Sequence, residues 1–257
     1  MNVAPDGRLL VTDNKGWGDG QGDLYAISTA TGAAQTILSG IDCIEDVAIR
    51  STGEIFITDA AGIDYATGAQ LGRVLQAAYD GVSGSYCLVP LVTGLAYPAG
   101  MGFDSHGNLI FQQANASFAG EIYRLPIVAG PAGLSFGQAA LLAGSLSAGF
   151  DMAIDGEDDI FITGNGGLHE LDRDGAGQFT GTASVFDAHG FSTEVAFCPG
   201  GNAFEPFAGF AGGKLSFVPE YLSTEIVEIT TVPEPAGPLM VLAGATVLGR
   251  NRKRHDH

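Results

Sequence analysis

Positive charge is scarce in this chain. Eleven Lys and Arg stand against 29 Asp and Glu in 257 residues, a formal charge of −18. Phosphate backbones are bound by basic patches, so this balance excludes nucleic acid as a partner. It suits a solvated extracellular protein, or one that recruits divalent cations. Cysteine is nearly as scarce. Three residues, Cys43, Cys87 and Cys198, cannot build a disulfide framework, and their spacing matches no zinc motif. A Cys43–Cys87 pair with Cys198 left over and three free thiols both stay open. The five histidines (His106, His169, His189, His255, His257) form no ligand spacing, and neither a His-Glu-x-x-His run nor a phosphate loop is present. Helical periodicity is missing before residue 231. The first residues, Met1-Asn2-Val3-Ala4-Pro5-Asp6-Gly7, carry neither a basic nor an apolar targeting region.

Glycine is abundant, 39 of 257 residues, well above the usual ~7 %. With 46 % hydrophobic residues the composition is not that of a disordered chain; it points to short strands and tight turns. One pattern recurs: an apolar residue, a turn ending in Gly, then an alternating strand that often closes in Thr-Asp. Its copies are residues 3–13, 49–59, 103–113, 154–164 and, in degenerate form, 197–207, offset by 46, 54, 51 and 43 positions. That is the period of a four-stranded propeller blade. Third strands follow a Gly at 22–27, 72–75, 120–125 and 167–171. Fourth strands fall at 36–38, 88–92, 140–142, 185–186 and 226–229. First strands lead into each later copy at 46–49, 100–103, 151–154 and 194–197.

The apolar strand, Gly turn and Thr-Asp strand end resemble those of NHL and gluconolactonase-like six-bladed propellers over residues 1–230. The expected fold is therefore all-β, a β-propeller of four-stranded blades followed by a C-terminal apolar helix. In this register Met1 aligns with Met152 in the middle of an inner strand. The expectation is a ring of six blades that begins upstream of Met1, the alternative being five blades closed by the last strand.

Equivalent inner-strand positions hold Asp46, Asp151 and Glu194, with Gly100 in the third copy. Carboxylates converging on a propeller channel suit Ca²⁺ through hard oxygen ligands. The resemblance implies a divalent ion with acidic and Asn ligands; the other reading is that these acids cap strand ends. The loop 13–23, rich in Asp and Gly, lacks EF-hand spacing and reads as an inter-strand loop carrying the single Trp17. Residues 172–175, Asp-Arg-Asp-Gly, suit a hairpin turn. The Gly133-Leu134-Ser135-Phe136-Gly137 string imitates a nucleophile elbow, but it lies between strands, where that motif has no meaning.

The last residues have a different character. Val232-Pro233-Glu234-Pro235 precedes an apolar stretch, 236–249, and then Arg250, Arg252, Lys253 and Arg254. Four of the 11 basic residues thus sit in the last eight positions. A short polar motif, an apolar segment and a basic stop follow the positive-inside layout. The 14 apolar residues fall short of the ~20 that span a bilayer. The segment resembles the PEP-CTERM sorting signal of Gram-negative bacteria. That resemblance implies export, transient residence in the inner membrane through residues 236–249, and processing by exosortase at Pro233, Glu234 and Pro235. Two domains follow: a propeller over 1–230 and a sorting tail over 231–257. The expected function is an exported cell-surface or matrix propeller that binds extracellular polysaccharide or a surface protein without a resident cofactor. The alternative is a metal-dependent lactonase or hydrolase of the gluconolactonase type, holding its ion through Asp46, Asp151 and Glu194.

Overall fold

The computed structural model describes residues 1–15, 20–131, 133–147, 149, 151–191, 194–198, 214–218 and 227–230, with side chains up to residue 186 apart from Asn165. Trp17 and the whole tail, with its sorting motif, apolar segment and basic cluster, lie outside the described residues. Among the described residues there is no helix, so none is long and apolar enough to cross a membrane.

Among the described residues the strands form five antiparallel sheets of three or four strands that succeed one another along the chain, with two two-stranded hairpins set between strands. The first holds β1 (Asn2–Val3), β2 (Leu9–Asp13), β3 (Gly22–Ile27) and β4 (Ala34–Ile41). The second opens with β5 (Ile44–Ile49) and β6 (Ile55–Asp59). A small hairpin, β7 (Ile63–Asp64) and β8 (Ala69–Gln70), follows before β9 (Gly72–Asp80) and β10 (Ser85–Leu95) complete the sheet. The third has β11 (Tyr97–Phe103), β12 (Leu109–Ala114) and β13 (Ala119–Leu125). After a hairpin of β14 (Ile127–Gly130) and β15 (Gly133–Phe136), β16 (Ala140–Ser147) closes it. The fourth has β17 (Met152–Ile154), β18 (Ile160–Arg173) and β19 (Phe179–Phe191). The fifth has β20 (Glu194–Cys198), β21 (Lys214–Val218) and β22 (Val227–Thr230).

In β18 two expected strands run as one segment. Extended, its 14 residues would span about 45 Å. Yet Arg173 at its end donates to Asp159 Oδ1 just before its start, at 2.7 Å. The chain folds back at Gly166 and Gly167, whose φ values of +88° and +126° belong to glycine. The following turn lies later than the 172–175 reading placed it. Its left-handed residue is Gly177, at φ +76°, and Asp174 Oδ1 caps it by accepting from Ala176 and Gln178.

Each sheet's first strand touches the next sheet's first strand: β1 with β5, β5 with β11, β11 with β17 and β17 with β20. The sheets are the blades of a β-propeller, with these strands innermost. The core lies in the seams between blades. Because successive strand residues face opposite ways, one strand feeds two seams. Ile55 and Ile57 pack with Leu10 and Leu24 of the first blade, whereas Phe56 between them packs with Met101, Leu109 and Phe111 of the third. Likewise Ile110 faces Met152, Ile160 and Ile162 of the fourth blade. The Phe56 ring meets Phe103 edge-on at 5.5 Å. The turns that end in Gly7, Gly53 and Gly107 have φ of +82°, +98° and +78° there, and Asp158 fills the same place at +66°.

Candidate functional site

The ends of the second strands and the starts of the third strands gather at one face of the propeller, together with the segments that lead into the inner strands. Cross-strand partners there are Asp13 and Asp23, Asp59 and Arg73, and Gln113 and Glu121. Each pair is resolved in its own way. Arg73 Nε donates to the fully buried Asp59 at 3.0 Å, and its Nη2 also reaches Asp42 at 3.3 Å. Asp23 faces the like charge of Asp13, and it accepts from Lys15 Nζ and from Tyr25 Oη. Those donors hold its carboxyl below the usual range, Lys15 most strongly. Burial opposes the charge on Glu121. Donors from Asn115, Tyr123 and Gln113, each at 2.8 Å, outweigh it and lower that carboxyl. The acidic loop 13–23 thus has one of its carboxylates, Asp23, already engaged with Lys15.

Asp46 lies within β5 and Asp151 directly precedes β17, in equivalent register. Asp46 Oδ1 accepts from Val47 N at 2.7 Å, and Oδ2 reaches across the seam to accept from Met101 N at 2.9 Å. The amine of Met1 lies 3.8 Å from Oδ1. Asp151 Oδ1 accepts from Met152 N at 2.8 Å. These acids therefore cap their strands, and Asp46 clamps the second blade to the third. Glu194 begins β20 as expected; its side chain is outside the described residues. Gly100 is there for space: a Cβ on it would lie 2.6 Å from Met152 N and 2.8 Å from Asp151 Cα, so the third and fourth blades meet at this point.

The threonines of the Thr-Asp strand ends tie the blades together. Thr12 Oγ1 donates to Glu45 O at 3.1 Å, and Thr58 Oγ1 donates to Ala99 O, the equivalent carbonyl one blade on, at 2.8 Å. Gln112 takes this place in the third blade, fully buried, and among the described residues its amide finds no partner.

A cluster missed in the sequence sits beside Asp46. Asn14 Nδ2 donates to Glu45 Oε1 at 3.2 Å and lies 3.1 Å from Cys43 Sγ, which itself lies 3.3 Å from Glu45 Oε1. Burial pushes the Glu45 carboxyl up, and the neighbouring Asp46 charge adds to the shift. Burial raises Asp46 as well. The Cys43 thiol is pushed up to about 12, chiefly by burial and then by Glu45, so it stays protonated and unreactive. Cys43 is a buried free thiol and Cys87 an exposed one. The signal available in the sequence was Glu45-Asp46, two adjacent acids opening an otherwise apolar strand. Asn14 comes from the neighbouring blade, and no linear spacing reveals it.

These groups test whether a divalent ion would fit. Two adjacent carboxylates that burial raises lack a full counter-charge, and Glu45 with the Asn14 amide supplies hard oxygen donors. Among the described residues no three His, Cys, Asp or Glu side chains converge on a metal-sized centre. Hard oxygen donors stand together at Glu45 and Asn14, with Asp46 adjoining; of the Asp46–Asp151–Glu194 set, the Glu194 side chain lies outside the described residues.

No model of a known protein family matches the chain, and no curated protein matches it. Solved structures do. A gluconolactonase from Xanthomonas campestris is 15 % identical, with a TM-score of 0.57 over 84 % of this chain and 67 % of that one. Regucalcin from Agrobacterium tumefaciens, a calcium-binding protein, is 16 % identical, with a TM-score of 0.53 over 81 % and 68 %. An auxiliary nutrient binding protein from Bacteroides thetaiotaomicron is 13 % identical, with a TM-score of 0.54 over 90 % and 55 %. At such identities the likeness is one of fold, and this fold serves an enzyme, a calcium binder and a nutrient binder alike.

Proposed function

We propose that the chain is a propeller of the gluconolactonase type that takes a small cyclic ester at the Glu45 end of its inner strands and hydrolyses it with a divalent ion. The observation that carries the reading is the Asn14–Glu45–Asp46 group: carboxylates raised by burial, beside an amide, on the inner strand of a blade. Glu45 and Asn14 would hold the ion. When bound, the ion would supply polarisation of the ester carbonyl and a lowered pKa for an attacking water. Glu45 positions that charge, Asp46 fixes the strand beneath it through Val47 and Met101, and the protonated Cys43 closes the apolar side. The relatives in fold that are named as a gluconolactonase and as a calcium-binding protein favour this reading. The test is calorimetric titration with Ca²⁺ and Mn²⁺, paired with proton release from glucono-δ-lactone. Binding of one ion and turnover, both lost in Glu45→Gln, are expected. An ion-free protein without turnover overturns the reading.

A second reading rests on the order of Pro233-Glu234-Pro235, the apolar stretch 236–249 and the basic residues 250–254. It holds that the propeller is exported, processed by exosortase and retained at the cell surface or in extracellular polymer as a binding protein. The two readings are compatible, since an exported propeller can be an enzyme. Intact mass of the protein from its host and medium tests it: a species ending near Pro235 is expected, and one retaining His257 inside the cell overturns it.

A further inference from the structure

Three aromatic residues meet on the face that carries Glu45. Tyr65 comes from the β7–β8 loop, Tyr97 opens β11, and Phe118 stands at the tip between β12 and β13. The Tyr97 ring stacks on Phe118, with centroids 5.3 Å apart and planes 14° from parallel. Its hydroxyl shares a 3.3 Å hydrogen bond with that of Tyr65. Tyr65 is 87 % exposed and Phe118 is 65 % exposed. The rings join two blades, because Tyr65 belongs to the second and the other two to the third.

Phe118 is displayed against its backbone's preference. Its φ is +58°, a left-handed conformation that costs a Cβ-bearing residue and normally selects glycine in a hairpin tip. Glycine is plentiful in this chain and takes the comparable turn position at Gly68, φ +73°. The Phe118 turn is held firmly: Asn115 O accepts from Phe118 N at 2.8 Å, and Asn115 Oδ1 accepts from Ser117 N at 2.9 Å and Ala119 N at 3.1 Å. Strained backbone and a large apolar ring in water are both unfavourable, and they coincide on one residue. Strain of this kind concentrates at ligand sites.

The hairpin and the turn that carry Tyr65 and Phe118 also carry polar groups. Gln70, in β8 beside the Tyr65 loop, and Asn115, which starts the Phe118 turn, line an open groove of about 550 Å³ with Gln113, Glu121 and Tyr123. Flat, exposed rings beside a polar groove match a hydroxylated ring with one apolar face. The charge narrows the choice further. Asp42, Asp64 and Glu121 lie on this face, and the chain's formal charge is −18, so an anionic polymer is repelled. We infer that Tyr65, Tyr97 and Phe118 form a platform for a neutral saccharide, stacking its C–H face while Gln70 meets its hydroxyls. The platform does not depend on the lactonase reading; it also supplies a contact surface that a polysaccharide-binding propeller needs.

Affinity electrophoresis of the full chain in gels containing hydroxyethyl cellulose, laminarin, dextran or alginate tests it. Retardation by at least one of the three neutral glucans and none by alginate is expected. Tyr65→Ala and Phe118→Gly should each weaken that retardation at least tenfold, while their melting temperatures stay at or above that of the parent, since Phe118→Gly relieves the backbone. No retardation by any neutral glucan, retardation by alginate, or retardation unchanged in both variants would overturn the platform. Proton release from glucono-δ-lactone is measured on the same variants, so loss of glycan binding is distinguished from loss of hydrolysis.

Discussion

The Thr58 hydroxyl bridges two blades: it donates to Ala99 O at 2.8 Å and accepts from Asp46 N at 3.0 Å. Thr58 is fully buried, so no water can replace it. Thr58→Val keeps the shape and strands both backbone groups. With about 1–3 kcal/mol for each buried group left unpaired, the variant is expected to lose roughly 2–4 kcal/mol. Urea unfolding should show an earlier midpoint with an unchanged slope.

Gln112 stands where the first, second and fourth blades have Thr12, Thr58 and Thr163. Its buried amide is unpartnered among the described residues, a feature that costs stability. Gln112→Thr restores the hydroxyl that bridges the seam in Thr58. The expected gain is about 1 kcal/mol, read as a rise in melting temperature, while Gln112→Val should gain less because it offers no hydroxyl.

Asp59 is fully buried and accepts from Cys43 N at 3.0 Å on one oxygen and from Arg73 on the other. Arg73→Met removes the cation and leaves the carboxylate in place. Breaking a buried pair from one side costs about 3–5 kcal/mol. Arg73 is itself 37 % exposed, so the lower end of that range is expected at pH 7. Chemical denaturation of parent and variant at pH 7 checks it.

Much of this fold was legible because the propeller repeats its physics. A Gly at each turn and a Thr-Asp at several strand ends mark the blade period, and alternation within Ile55-Phe56-Ile57 marks a strand packed on both faces. Even the departure at Asp158 was readable: an Asp tolerates the left-handed place that Gly53 and Gly107 fill. The site was legible only as a set of positions. Asp46 and Asp151 were found by register, but register does not say that Asp46 already accepts from Val47 and Met101. Asn14 reaches Glu45 from another blade, and Tyr65 reaches Tyr97 from a loop. Those contacts follow from the closing of the ring, which no local pattern encodes.

Glu45 ties the chemistry to pH. Its carboxyl is raised above the ordinary value of 4.5 by burial and then by Asp46. For an acid raised in the folded state, the unfolded chain releases its proton first as pH climbs. Stability from this group is then full below pH ~4.5 and declines as pH rises through the folded value, because the folded state holds more protons. Glu45→Gln removes the decline. In EDTA the variant should gain stability over the parent at pH 7 and match it near pH 4. Adding Ca²⁺ should reverse the order at pH 7, since an ion bound only by the parent stabilises it alone. Melting curves at pH 4 and 7, with EDTA and with Ca²⁺, decide the matter; a variant less stable than the parent in EDTA at pH 7 contradicts the sign, and a parent indifferent to Ca²⁺ and Mn²⁺ removes the ion from Glu45.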